Sequence, residues 1–169
     1  MINYFAYGSN LPLARISNRL PGVRKLCNAV IKGYDLRFHK VGHDDSAKCD
    51  AYFTGFQNDC VYGVVYQITT EQKSVLDGIE GVGHGYDCKW LNPETEIRVE
   101  SPLLIYLATR IEHDLLPWDW YVEHVLIGAR QAKFPPFYIE RILGEPCKTD
   151  NDLWRAEQER CIHKRALSE

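Results

Sequence analysis

Lysine and arginine never gather into a dense block along these 169 residues, and the net charge is only −3. The basic footprint of a nucleic-acid binder is therefore absent, and no nucleic-acid partner is expected. No stretch approaches the roughly 20 apolar residues that cross a bilayer, so no membrane partner is expected either. Met1-Ile2-Asn3-Tyr4 lacks a basic region followed by an apolar run, and no secretory signal is visible. The six cysteines, at 27, 49, 60, 88, 147 and 161, form no C-x-x-C pair and no metal-ligand spacing. Reduced thiols in a cytoplasmic protein explain that scatter better than a disulfide framework does. Internal repeats, low-complexity tracts and Pro/Ser linkers are missing as well.

What is present reads as one folded unit. Hydrophobic residues make up 45% of the chain and charged residues 25%, and the length suffices to bury a core. Residues 2–7 alternate as a strand and run into Gly8-Ser9-Asn10, where Ser9 or Asn10 is expected to cap a helix with Pro12 in its first turn. Leu13, Ile16 and Leu20 recur at helical spacing until Pro21-Gly22. Residues 28–40 read as one strand bulged at Gly33, and Gly42 to Asp50 as a loop. "AYFTGFQ" and "DCVYGVVYQIT" are expected to pair as a hairpin through Asn58-Asp59.

Thr69 and Gln72 have capping-box spacing ahead of Val75, Leu76 and Ile79, and Gly81 suits a left-handed helix end. Strands are expected at 86–91 and 96–108, with Pro102 as an edge or bulge signal. The aromatic cluster Trp118, Trp120 and Tyr121 opens a long helix that carries Val122, Val125, Leu126 and Ala129. Pro135-Pro136 breaks it, and Pro136 opens a second helix to Leu143. A polar tail from Asp150 has Leu153, Trp154, Cys161 and Ile162 to pack. About six strands with helices at the ends and in one crossover make an α+β fold. Residues 1–149 are expected to form the domain, and 150–169 a helical tail packed on it.

Two stretches carry chemistry. A strand that breaks on Gly8-Ser9-Asn10 into a helix exposes several backbone N–H groups at once, a cradle for an anion. Ser9 is a poor nucleophile candidate, because the elbow pattern wants glycine two residues later and Leu11 stands there. Farther on, "LDGIEGVGHGY" (76–86) puts Glu80 at the C-terminal end of a helix, followed by Gly81, Gly83 and Gly85. The negative end of the helix dipole is unfavourable for a carboxylate and raises its pKa, which suits a base near neutral pH. His39 and His43, with Asp44 and Asp45, straddle a strand end and a loop without a third ligand, so no metal site is assigned.

Taken in order, these pieces resemble the γ-glutamylcyclotransferase-like family, which includes γ-glutamylamine cyclotransferases and plant avirulence-induced proteins. Phe5-Ala6-Tyr7-Gly8-Ser9-Asn10-Leu11 is similar to the family's signature loop, and Tyr62-Gly63-Val64-Val65-Tyr66 to one of its strands. Leu76-Asp77, Glu80-Gly81 and Gly85-Tyr86 are similar to the segment bearing its catalytic glutamate. "YVEHVLIGARQAKFPPFYIERIL" (121–143) resembles its closing helices, so the likeness runs from residue 3 to about 143. The resemblance implies a small mixed, mostly antiparallel β-barrel of about six strands flanked by helices, with no cofactor and no metal. It implies turnover of a small-molecule γ-glutamyl amine or amino acid to 5-oxoproline and the free amine, and it makes a homodimer an expected assembly. By motif position Glu80 would be the acid/base, and Tyr7, Gly8, Ser9, Asn10, Leu11, Tyr86 and Tyr121 would meet the substrate.

That chemistry suits the residues. A γ-glutamyl group carries its own nucleophile, the α-amine, at the distance that closes a five-membered ring, so the protein need not supply one. A binding module that keeps the pocket but cyclises nothing is the alternative. Glu80 at the matching position favours the enzyme.

Overall fold

The computed structural model describes residues 1–100 and 102–165. Its elements are β1 (Ile2–Ala6), α1 (Leu13–Arg19), β2 (Arg24–Lys32), β3 (Tyr34–Val41), β4 (Ala47–Phe53) and β5 (Cys60–Ile68). There follow α2 (Thr70–Glu80), β6 (Tyr86–Leu91), β7 (Glu94–Thr95), β8 (Leu103–Ala108), α3 (Asp119–Gln131), α4 (Pro136–Leu143) and α5 (Leu153–Arg165). Six strands form one sheet in the order β6-β8-β1-β5-β2-β7, and β3 and β4 form a separate two-stranded sheet. Only β1 and β8 run parallel; every other pair is antiparallel. The expected α+β, mostly antiparallel architecture is present. The sheet is not closed into a barrel, however: it ends at β6 and β7, and the β3–β4 ribbon packs beside it.

The ribbon exists because Gly33 is more than a bulge. It sits at φ +78°, a conformation costly for any side chain, and its carbonyl accepts from the N–H groups of Thr54 and Gly55. The chain therefore turns there, and the single strand expected over 28–40 becomes two strands in two sheets. The expected loop from Gly42 also ends early. Ala47, Cys49 and Ala51 are buried at alternate positions of β4, opposite β3. The expected hairpin through Asn58-Asp59 does not form, because β4 pairs with β3 while β5 lies between β1 and β2. Of the strand expected over 96–108, Leu103–Ala108 is the part that pairs as a strand among the described residues; residue 101 lies outside them.

The helices follow their local signals with two exceptions. Thr69 and Gln72 make the reciprocal capping box, and Gly81 closes α2 in the left-handed region at φ 67°. Of its expected apolar stripe, only Leu76 is buried, while Val75 and Ile79 face out. Neither Ser9 nor Asn10 caps α1. The N-cap position is Pro12, with no side-chain cap, and residues 8–11 form a turn closed by the Leu11 N–H on the Gly8 carbonyl (3.0 Å). Pro136 opens α4 as expected.

Helix α5 is attached differently from the expectation. Leu153 and Trp154 are exposed (75% and 74%), and Ala156 is the buried apolar residue. Charge holds the helix instead. Asp150 accepts from Trp120 Nε1 and from the Arg155 guanidinium, each at 2.7 Å, and Arg160 pairs with Asp119 and Glu123 of α3. Among the described residues, no helix is long and apolar enough to cross a membrane.

Candidate active site

The end of β1 delivers the first half of the site. Tyr4 lies in β1 and Tyr7 just after its end, and the 8–11 turn follows. This turn sits tight against β4: a Cβ on Gly8 would lie 2.9 Å from Cys49 Cβ. Glycine is required there by the close approach alone. The N–H groups of Gly8, Ser9 and Asn10 donate to no protein acceptor among the described residues. They line a pit of about 30 Å³ with Tyr4, Tyr7, Cys49, Glu80, Tyr86, Tyr106 and Tyr121.

Glu80 arrives from the last turn of α2, with its side chain 16% exposed. Asn10 Nδ2 donates to its Oε1 at 2.9 Å and also reaches the Tyr4 hydroxyl at 3.1 Å. Arg19 Nη1 donates to Asn10 Oδ1 at 2.8 Å and lies 3.8 Å from the same carboxylate oxygen. Asn10 thus locks a cation, a phenol and a carboxylate into one geometry, which is why it is not available to cap α1. Burial pushes the Glu80 carboxyl above its ordinary range, and Arg19, Asn10 and Lys40 pull it partly back. A carboxyl so balanced can take a proton and give it up again.

The tyrosines surround it as neutral groups. Burial holds the phenols of Tyr7, Tyr86 and Tyr121 well above their ordinary value. One residue of β4 orients two of them: Tyr86 donates to the Cys49 carbonyl (2.6 Å), and the Cys49 N–H donates to the Tyr121 hydroxyl (3.0 Å). Tyr7 donates to the Tyr106 carbonyl at 2.5 Å. The Cys49 thiol, also buried, is pushed up and stays protonated.

The pit opens into a basin of about 340 Å³ whose wall carries Arg15, Arg19, Lys40, Lys48, Asp44 and Glu159. Asp44 pairs with Lys48 at 2.8 Å, and Glu159 of α5 pairs with Arg15. His124 sits behind this wall, 2.8 Å from Arg15 Nη1, and burial lowers its pKa to about 4. A larger hollow of about 880 Å³ lies between α1, α3 and α5. Its carboxylate, Glu159, is already paired with Arg15 and His124 and its pKa is lowered, unlike that of Glu80, so chemistry rather than size picks the pit.

Seven of the eight residues expected at the site therefore meet there: Tyr7, Gly8, Ser9, Asn10, Glu80, Tyr86 and Tyr121. Leu11 does not. Its carbonyl accepts from Tyr66, and its side chain packs on Gly128 toward the larger hollow. Among the described residues no hydrogen bond joins Ser9 to a histidine or carboxylate: His39 is bonded to Asp50 (2.9 Å), and His124 to Arg15 and His163. Among the described residues, no group of three His, Cys, Asp or Glu side chains is placed to hold a metal. Tyr4, Arg19, Lys40, Cys49 and Tyr106 were not foreseen. Arg15 and Arg19, one helical turn apart just after the loop, carried a readable signal. Lys40, inside a strand, carried none.

Comparison with known proteins agrees with this geometry. Residues 60–142 match the model of the AIG2-like family. The chain is 32% identical over 143 residues to the γ-glutamylcyclotransferase of Homo sapiens, covering 82% of this chain and 76% of that protein. It is 32% identical over 146 residues to the γ-glutamylcyclotransferase of Mus musculus, with the same coverage of 82% and 76%. A solved structure of a γ-glutamyl cyclotransferase superposes with a TM-score of 0.80 at 26% identity, covering 96% of this chain and 98% of that one. At that level of identity and coverage, the chain belongs to the γ-glutamylcyclotransferase family.

Proposed function

We propose that this protein converts a γ-glutamyl amine or amino acid into 5-oxoproline and the free amine, with Glu80 as acid/base and no cofactor. The observation that carries it is the pit itself, where one half-buried carboxylate of raised pKa lies with a turn whose three N–H groups have no protein acceptor among the described residues. The pit is much smaller than the basin beside it, about 30 Å³ against about 340 Å³, so in this reading the reacting atoms enter the pit and the rest of the substrate lies in the basin. Glu80 takes a proton from the α-ammonium, and the freed amine closes on the γ-carbonyl carbon. The N–H groups of Gly8, Ser9 and Asn10 hold either the α-carboxylate or the oxygen that gains charge as the ring closes. The neutral phenols of Tyr86 and Tyr121 line the same pit, with the Tyr121 hydroxyl beside Gly8.

Residues 1–149 form the catalytic unit in this scheme, with the tail helix packed on it. The cytoplasm is its setting, which suits Cys27, Cys49, Cys60, Cys88 and Cys147, which are held as thiols. The test is a mass-spectrometric assay for 5-oxoproline on γ-glutamyl amino acids, γ-glutamyl amines and glutathione. Glu80→Gln should fold and lose about 10²–10⁴-fold in turnover, the usual contribution of a general base. A folded Glu80→Gln that keeps the wild-type rate removes Glu80 from the mechanism. Wild-type protein that binds γ-glutamyl compounds without turnover makes the fold a binding module.

A further inference from the structure

Lys40 has no assigned part in this chemistry, yet its placement is unusual. Its residue is only 4% exposed, and among the described residues its ammonium makes no hydrogen bond and no ion pair. Such a group is costly to bury unless something uses it. Nζ lies 4.6 Å from the centre of the Tyr86 ring. It also packs on the turn that follows Glu80, since a Cβ on Gly85 would meet it at 2.8 Å. Lys40 and Glu80 both line the basin just outside the pit. The basin it lines also carries Glu80 from α2, Tyr86 from β6, Asp44 and His43 from the 42–46 turn and Lys48 from β4, with Arg15 and Arg19 of α1, Tyr121 of α3 and Glu159 of α5. Asp44 is already taken by Lys48.

The cyclotransferase chemistry proposed above, on which this step rests, moves protons at two nitrogens. The α-ammonium sheds two protons in becoming a lactam N–H, and the leaving nitrogen must gain one. Oxygen Oε1 of Glu80 is engaged by Asn10 and Arg19, which leaves Oε2 for the attacking amine. In the proposed reaction the reacting carbon would occupy the pit and the leaving group would extend into the basin, whose lining includes Lys40.

We propose that Lys40 is the general acid of the reaction, donating the proton that the leaving nitrogen takes as its bond to the γ-carbonyl carbon breaks. Glu80 removes the first proton from the α-ammonium. The amine lone pair forms the new C–N bond, and the carbonyl π pair moves onto oxygen. When the carbonyl re-forms, the electron pair of the breaking C–N bond captures a proton from the Lys40 ammonium. The second proton shed by the ring nitrogen returns through solvent to the Lys40 amine. The proton on Glu80 passes to solvent, where the released amine takes one up. Burial lowers the Lys40 pKa while Glu80 and Asp44 raise it, which makes the ammonium a better donor than a solvated lysine.

The test compares two leaving groups in each variant, so that a general loss of folded protein cancels in the ratio. One substrate is a γ-glutamyl alkylamide, whose amine must be protonated to leave. The other is a γ-glutamyl anilide with an electron-poor ring, which departs without it. Lys40→Met should lose about 10²-fold on the alkylamide, as expected for a general acid, and change little on the anilide. Lys40→Arg, which keeps the charge but does not release its proton, should resemble Lys40→Met. Equal losses on both substrates, no loss on either, or rescue by Lys40→Arg would each overturn the assignment and leave Lys40 as a fixed charge at most. Absence of 5-oxoproline from the wild type on both substrates would overturn the cyclotransferase reading itself, and this step with it.

Discussion

Asn10→Asp is the sharpest perturbation of the site, because it changes one atom of a side chain that is 4% exposed and holds three partners. The amide that donates to Glu80 Oε1 at 2.9 Å becomes a second carboxylate oxygen at the same place. A hydrogen bond to a charged group contributes about 1.5–3 kcal/mol. At about 1.4 kcal/mol per pKa unit, its loss alone raises the Glu80 pKa by about 1–2 units. The new carboxylate stays ionised because Arg19 Nη1 already donates to the oxygen at that position (2.8 Å), and its repulsion acts in the same direction. Arg19, 3.8 Å from Glu80, offsets part of the rise. Glu80 works as a base only when deprotonated, so the acid limb of kcat/KM should move up by at least about one unit. Below both limbs the variant is then about tenfold slower or worse, and at high pH the two profiles converge. A pH–rate profile followed by 5-oxoproline release reads this directly. An acid limb that stays in place or moves down would refute Glu80 as the titrating base or Asn10 as its holder.

Two stability predictions follow from the same coordinates. Glu80 has its folded pKa raised by burial, so its contribution to stability is fully present below its unfolded pKa and is lost as pH rises through the folded value. Glu80→Gln removes that loss, and its melting temperature should exceed the wild type's at neutral pH by a margin that vanishes below about pH 4, under the ordinary glutamate range. A margin independent of pH would contradict the burial argument. Gly128→Ala should destabilise the protein by about 1–3 kcal/mol, the usual range for overpacking. Its Cβ would come within 2.3 Å of Leu11 Cβ and 2.9 Å of Pro12, where backbone rather than a flexible side-chain end blocks the way. Urea unfolding measures this, and an unchanged midpoint would mean that α3 and the 8–12 segment separate easily.

What the sequence by itself determined is what is coded within a few neighbouring residues. The capping box at Thr69 and Gln72, the left-handed Gly81 and the proline opening α4 need only local backbone chemistry, and all three stand as read. The loop Tyr7 to Asn10 and Glu80 were legible because each sits at an element end with glycines beside it, where backbone N–H groups and a carboxylate are left over. Only the tertiary structure decided which strand pairs with which. Gly33 reads the same locally whether it bulges one strand or turns the chain into a second sheet, and the choice depends on partners some twenty residues away at Thr54 and Gly55. The same holds for the site's electrostatics. Asn10 meets Glu80 across seventy residues, and Lys40 meets both the Tyr86 ring and the turn after Glu80 from near the end of β3. Burial and proximity set these groups' proton affinities, and neither exists until the sheet, the ribbon and α2 have packed together.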